Sequence, residues 1–234
     1  MRQEKNFPIT AVHSEWIIDD EPMGSKNKFW IEIPGDRHPW LFKYTRTNDD
    51  RSTGEHWAEK VAAEIAGKLQ LPHAEVELAE FNGCFGSLSR RFERLADDGV
   101  ELVHGNDLLS GLLQNYDSQL VRGQQEHTLK NILNAIGNAI GRDDGAREEA
   151  FLNLGGYVLL DALILNTDRH HENWALLRQT LPAKETSHHI APTFDHASSL
   201  GREHTDSKLR QWLTEEQWRV AWYAERGKGG IFLE

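Results

Sequence analysis

Near residue 105 the hydrophobic rhythm of this 234-residue chain changes, and few folds accommodate such a change. Before it, residues 28–33 and 40–44 are rich in β-formers and flank Pro34-Gly35-Asp36, a combination that predicts a hairpin. Gly54-Glu55 then opens a helix on which Trp57, Val61, Ile65 and Leu69 recur every four residues, with Pro72 ending it. Residues 76–85 and 86–92 read as two more strands around Gly83. After residue 105 the pattern is helical. Asn106 or Asp107 can cap a helix over 108–113, a second covers 127–140, and a third covers 147–165 with Phe151, Leu154, Val158, Ala162 and Leu165 on one face. Residues 173–177 and 190–194 are short strand candidates, and the remainder, through Trp212, Trp218 and Trp222, is expected to be helical. A β-rich part with one main helix followed by a helical part predicts an α+β fold of two lobes, residues 1–103 and 104–234.

Charge narrows the function classes. Acids outnumber bases 37 to 26, giving a net charge of -11, and no basic stripe is present, so nucleic acid and anionic membranes are not expected as direct partners. The single cysteine, Cys84, excludes a disulfide framework and reads as a small buried residue. The N-terminus carries no apolar leader, and the most apolar stretch, 154–165, is interrupted by Asp161 and is far shorter than the ~20 residues of a membrane span. A cytoplasmic protein is expected.

The chemistry is concentrated in the polar loop Asn166-Thr167-Asp168-Arg169-His170-His171-Glu172-Asn173, which follows the long apolar helix. A second acid, Asp195, follows after a short hairpin. One Asp to orient an attacking hydroxyl, with an Asn amide oxygen and a second Asp to hold Mg²⁺, is the set that phosphoryl transfer uses. That reading requires upstream parts, and candidates for each exist in order. Gly24, Ser25 and Lys28 lie in a flexible turn, Lys43 sits on the next strand, and Glu55 and Glu59 lie on the following helix beside small Ala58 and Ala62. Either acid could hold Lys43.

With these residues in place, the chain resembles the HipA-like serine/threonine protein kinases, bacterial enzymes known from toxin–antitoxin systems. Their loop Asn-Thr-Asp-x-His-x-x-Asn stands here as Asn166 to Asn173, and their Gly-x-x-x-Lys turn as Gly24 to Lys28. Their approach to the second acid matches residues 190–195, and their hinge matches Arg91-Phe92-Glu93-Arg94. The resemblance implies a bilobal protein-kinase-like fold and ATP with Mg²⁺ as cofactors. It makes Asp168 the catalytic aspartate, Asn173 and Asp195 the metal ligands, and Lys43 the phosphate contact. It also brings the Arg90, Arg91 and Phe92 backbone to the adenine, His170 to loop ordering or nucleotide contact, and Glu59, or Glu55 after a small shift, to the lysine. It further implies autophosphorylation at Ser25, a protein substrate and an antitoxin protein partner.

Other readings remain. Each residue alone has an ordinary role: Lys43 as a snorkelling strand lysine, the two glutamates as a solvated face, Asp168 and Asn173 as turn residues. His170, His171, His188, His189 and His196 with Asp168 and Asp195 could form a metal-dependent phosphohydrolase centre. A nucleotide-binding regulator without transfer activity is a third possibility, since only 39 residues follow Asp195.

Overall fold

The computed structural model of the chain describes residues 7–20, 27–48, 51–92, 99–180, 186–204, 210–211, 214, 224–225, 227 and 229–233. Gly24, Ser25, Glu93, Arg94, Trp212, Trp218 and Trp222 lie outside the described residues. The first part is a six-stranded sheet of β1 (Ile9–Ala11), β2 (Ile17–Asp20), β3 (Lys28–Ile31), β4 (Trp40–Tyr44), β7 (Val76–Phe81) and β8 (Cys84–Arg90), in the order β1-β7-β8-β4-β3-β2. β1 runs parallel to β7 and every other neighbouring pair is antiparallel. A two-stranded ribbon, β5 (Thr47–Asn48) with β6 (Arg51–Ser52), leads into helix α1 (Glu55–Lys68).

Two hairpins form, the first where the sequence indicates and the second closing ahead of the expected break at 85/86. β3 pairs with β4, placing Lys28 opposite Lys43, and β7 turns into β8 through Asn82-Gly83. Both turn residues have positive φ, 50° and 77°, as a two-residue turn of the primed type requires. Phe29 and Phe42 stack at 5.0 Å beneath this sheet, in a core with Ile31, Trp40 and Leu88. Cys84, expected to be buried, opens β8 and is exposed.

The second part contains β9 (Val100–His104), α2 (Gly105–Leu112), α3 (Leu129–Ile140), α4 (Asp144–Ile164), β10 (Ala175–Thr180) and β11 (Thr186–Ile190). β9 pairs with β10, so the expected boundary at 103/104 falls inside a strand that belongs to the second sheet. Leu109, Ile132, Ile136, Leu154 and Leu176 form its core. Neither Asn106 nor Asp107 caps α2; the cap position is His104. The amides of Gly105 and Asn106 bond instead to the carbonyls of Trp174 and His171, so the 166–174 loop satisfies the helix start. Thr128 and Asp143 do cap α3 and α4 through their side chains. The strand expected over 190–194 ends at Ile190, because residues 191–194 turn to pair with 72–74 through the His73–Thr193 bridge.

Two predicted helix faces are rotated. On α1 the buried residues are Glu55, Ala58, Glu59, Lys60, Ala62, Ala63 and Ala66, whereas Leu69 is 46% exposed. The helix lies between the first sheet and α4, where Ala62 and Ala66 meet Leu160 and Ile164, and only small side chains permit that approach. On α4, Leu154 is buried as expected but Val158 and Ala162 are not; Tyr157, Leu160, Asp161 and Ile164 complete the inner face.

Candidate active site

Helix α4 ends at Leu165 in the left-handed conformation, φ 55°, which turns the chain sharply into the 166–173 loop. The loop is held from inside by Arg169, 3% exposed. Its Nε and Nη2 grip the two oxygens of Asp161 at 2.7 Å each. Nη1 donates to the carbonyls of Asn173 and Phe194, and Nη2 donates to the Thr193 hydroxyl. One guanidinium therefore sets Asn173 and the residue before Asp195 relative to each other. Burial opposes its charge, yet Asp161, Asp195 and Glu59 keep it firmly protonated. Asn166 also donates to Asp161 and accepts the Asp168 amide, while the Asn173 side chain donates to the Asp168 carbonyl at 2.7 Å.

A second layer lies below. His171 is buried and shares a 2.6 Å hydrogen bond between Nδ1 and the Tyr116 hydroxyl. His127 accepts from Trp174 Nε1 through Nε2 and donates from Nδ1 to the Gly230 carbonyl at 2.8 Å. Burial pushes the His127 pKa down to about 4 despite the Gly230 hydrogen bond, so the ring is neutral. Gly230 packs so tightly that a Cβ there would stand 2.4 Å from the Arg169 carbonyl.

Above the loop is a cavity of about 720 Å³ between the two parts, within the range of small-molecule sites. Trp30, Leu41, Phe92, Leu102 and Phe194 supply apolar wall, and Lys43, Asp168, Asn173 and Asp195 line the same cavity. Lys43 Nζ pairs with Asp195 at 3.2 Å. Burial works against that ammonium, but Asp195, then Glu59 and Glu55, outweigh it and raise its pKa. Asp195 holds φ 57°, an uncommon conformation for a residue with a side chain and one that concentrates at functional sites.

Both helix acids are buried, 3% for Glu55 and 2% for Glu59, so neither is a solvated face. Glu59 lies 3.7 Å from His196 Nδ1, and Glu55 pairs with Arg202 at 3.0 Å. Their fields reach Lys43, Glu59 more strongly, but the direct partner of the lysine is Asp195. Lys28 lines the cavity beside Lys43. The hinge backbone is largely engaged: the amides of Arg90 and Arg91 bond to the carbonyls of Glu75 and Pro39, and His38 meets the Arg91 carbonyl. The Arg90 side chain bridges Asp36 and Glu75.

The five histidines do not converge. His170 faces the cavity, its Nδ1 accepting from the Glu172 amide, and burial lowers its pKa against the pull of Asp168 and Glu172. His171 turns into the interior, His188 and His189 lie on β11, and His196 bonds the Thr193 hydroxyl in the core. Among the described residues no three His, Cys, Asp or Glu side chains are grouped to hold a metal. Asp195 and Asn173 instead offer a carboxylate and an amide oxygen; with the Asn173 nitrogen committed to Asp168, its oxygen is the end left for a cation. So sparse an oxygen set fits Mg²⁺, which keeps waters and takes phosphate oxygens.

Sequence reading missed Arg169, Ser198, Arg202 and Arg122. Ser198 donates to Asp168 Oδ2 at 3.3 Å, and Arg122 lies 3.9 Å from Oδ1. Only the Arg169 pairing had a visible signal, since a charge at Asp161 inside the most apolar stretch demands a buried partner.

No curated protein sequence matches the chain. Among solved structures it resembles the Helicobacter pylori proinflammatory kinase CtkA, with a TM-score of 0.69 and 21% identity over 90% of this chain and 68% of that one. HipA from the Shewanella oneidensis MR-1 toxin–antitoxin system, solved with HipB and operator DNA, aligns at a TM-score of 0.48 and 13% identity over 80% of this chain and 45% of that one. The α+β fold is thus one that a kinase also adopts. The model of the HipA-like C-terminal domain matches residues 21–228, nearly the whole chain with its loop, its two acids and its strand lysine, and the protein belongs to that family.

Proposed function

We propose that the protein is an ATP- and Mg²⁺-dependent kinase that phosphorylates serine or threonine hydroxyls of a protein substrate. The observation that carries this reading is that Lys43, Asp195, Asn173 and Asp168 line one nucleotide-sized cavity, with Lys43 paired to Asp195 and apolar wall from Trp30, Leu41, Phe92, Leu102 and Phe194. Family membership supports it.

In this reading Asp195 and the Asn173 amide oxygen would hold Mg²⁺, which would offset phosphate charge when bound. Lys43, kept protonated by its acidic neighbours, meets the phosphates of ATP. Asp168 accepts the proton of the acceptor hydroxyl as its oxygen bonds to the γ-phosphorus and the bond to the ADP leaving oxygen breaks. Positioning and electrostatics supply most of the effect. The adenine would meet the backbone of Arg90 to Phe92, where the Arg90 and Arg91 amides are already bonded and Phe92 lines the cavity. Autophosphorylation at Ser25 and an antitoxin-type protein partner are further proposals, resting on the family alone.

The test is incubation of the full chain with γ-labelled ATP and Mg²⁺, alone and with candidate proteins. Transfer that falls by about 10²–10⁴ in Asp168→Ala supports the kinase. Equal labelling in both proteins, or nucleotide binding with no transfer in the wild type, overturns it, and the second outcome identifies a regulator. Tight zinc binding with ATP-independent phosphatase activity would point to the hydrolase, which the dispersed histidines disfavour.

A further inference from the structure

The two oxygens of the Asp168 carboxylate have different surroundings. Oδ1 is on the side of Arg122, which is 80% exposed and also lines the cavity. Oδ2 turns toward the segment that follows Asp195, where the Ser198 hydroxyl stands 3.3 Å away. That hydroxyl oxygen in turn accepts from Arg202 Nη2 at 3.2 Å, and Arg202 Nη1 pairs with Glu55 Oε1 at 3.0 Å. Glu55 is buried in the first turn of α1, and its other oxygen accepts from the Arg46 amide at 3.1 Å. Backbone pairing makes the connection stiff, since the Gly54 amide donates to the Arg202 carbonyl at 2.8 Å. The Ser198 carbonyl accepts from the Thr167 amide, next to Asp168.

The polarity of this chain of contacts is set by chemistry. A guanidinium only donates, so the Ser198 oxygen must accept from Arg202, and its single proton is directed to Asp168. Glu55 balances the Arg202 charge, so what reaches Asp168 is an oriented hydroxyl rather than a competing cation. A carboxylate tied at one oxygen presents the other.

We propose that Glu55, Arg202 and Ser198 form a positioning relay, which holds Asp168 Oδ2 so that Oδ1 faces the acceptor hydroxyl and which makes that aim depend on the seating of α1. The inference rests on the kinase reading for its consequence in catalysis. Arg46 lines the same cavity that Lys43 serves, so Glu55 touches the nucleotide side while its partner Arg202 reaches the acceptor side. Ser198 and Arg202 are positioning residues: they act through Asp168.

The test measures label transfer and ATP affinity in Ser198→Ala, Ser198→Thr, Arg202→Lys and the Ser198→Ala/Arg202→Lys double variant, beside a crystal structure of Ser198→Ala. Losing a hydrogen bond to a charged group predicts a fall of about tenfold in kcat for Ser198→Ala, with the KM for ATP within about twofold. Ser198→Thr, which keeps the hydroxyl, is expected to restore the rate. Arg202→Lys keeps a charge near Glu55 but loses the fork that reaches both partners, and the double variant is expected to be no slower than the slower single one. In the crystal, the Asp168 carboxylate is expected to swing away from its wild-type orientation. Wild-type kcat in Ser198→Ala, additive losses in the double variant, or phosphate found on Ser198 itself would each overturn the relay. If the wild type transfers no phosphate, the kinase reading fails, and the Asp168 orientation in the Ser198→Ala crystal alone decides the relay: an unmoved carboxylate rejects it.

Discussion

Asp161 on α4 and Glu55 on α1 are both buried carboxylates that meet an arginine near the same loop, but the two pairs are built differently. Asp161 receives Arg169 through two parallel contacts of 2.7 Å, and the remaining guanidinium nitrogen is taken up by loop carbonyls. The pair is a clamp: both partners belong to the second part of the molecule, eight residues apart. Glu55 receives Arg202 through one contact of 3.0 Å, across the junction between the parts, and Arg202 passes a single hydrogen bond onward. A bidentate pair fixes one geometry, whereas a single-point contact at a junction holds only while both sides remain seated. The rigid pair therefore lies under the proposed metal ligands, and the looser one behind the proposed base.

The comparison breaks most visibly at the clamp. Arg169→Met leaves Asp161 buried without its partner and is expected to lower stability by about 3–5 kcal/mol, measured by urea unfolding. Replacing both, as Asp161→Leu with Arg169→Met, is expected to recover much of that loss while transfer activity stays low, because the carbonyls of Asn173 and Phe194 lose their common donor. A fully active double variant would show that the clamp has no positioning role.

Acid is the next lever. Between about pH 4 and 6.5 the unfolded chain binds a proton at His127 that the folded chain refuses, so stability rises with pH through that window and falls as pH drops. Removal of this imidazole's contribution is expected to flatten the profile by about 3 kcal/mol at most, checked by comparing wild type with His127→Asn in unfolding at pH 4.5 and 7. His170 and His171, also held below their ordinary pKa by burial, act in the same direction.

Gly230→Ala should cost about 1–3 kcal/mol in thermal or urea unfolding, since the new methyl meets the Arg169 backbone and either the loop or the 229–232 segment must shift. Transfer activity that survives unchanged would show that the shift stays in the C-terminal segment. The smallest effect belongs to an exposed pair. Arg178 and Glu101 face each other across β10 and β9 with 42% and 61% of their side chains exposed, and Arg178→Ala is expected to change stability by less than about 1 kcal/mol.

How much was legible depended on what kind of contact carried the feature. The hairpin of β3 and β4 and the run of α3 follow from local propensity and turn chemistry and appear where the residues indicate, whereas the β7–β8 turn falls at Asn82-Gly83 rather than at the expected 85/86 break. Lys43, Asp168, Asn173 and Asp195 were legible as an ordered set, and the fold brings them to one cavity. The buried face of α1 was not legible. Its apolar residues favour one side, but the helix is squeezed between a sheet and α4, and the buried set is the alanines with Glu55, Glu59 and Lys60. β1, β2 and β9 are not legible because short edge strands carry little periodicity of their own. Ser198 and Arg202 form no pattern, since their roles depend on partners 30 and 147 residues away.

The sequence by itself determined the two-part α+β plan and the order of the polar residues, because periodicity, turn residues and helix caps act over a few residues. Tertiary structure alone decided which acid meets which cation. Lys43 faces Asp195 directly, with Glu59 set against His196 and Glu55 against Arg202. The physical reason is burial: a desolvated charge must be met by whatever partners the packing brings within reach, and for Glu55 these are Arg202 at 3.0 Å and Arg46 at 3.9 Å, set by how α1 seats between the sheet and α4.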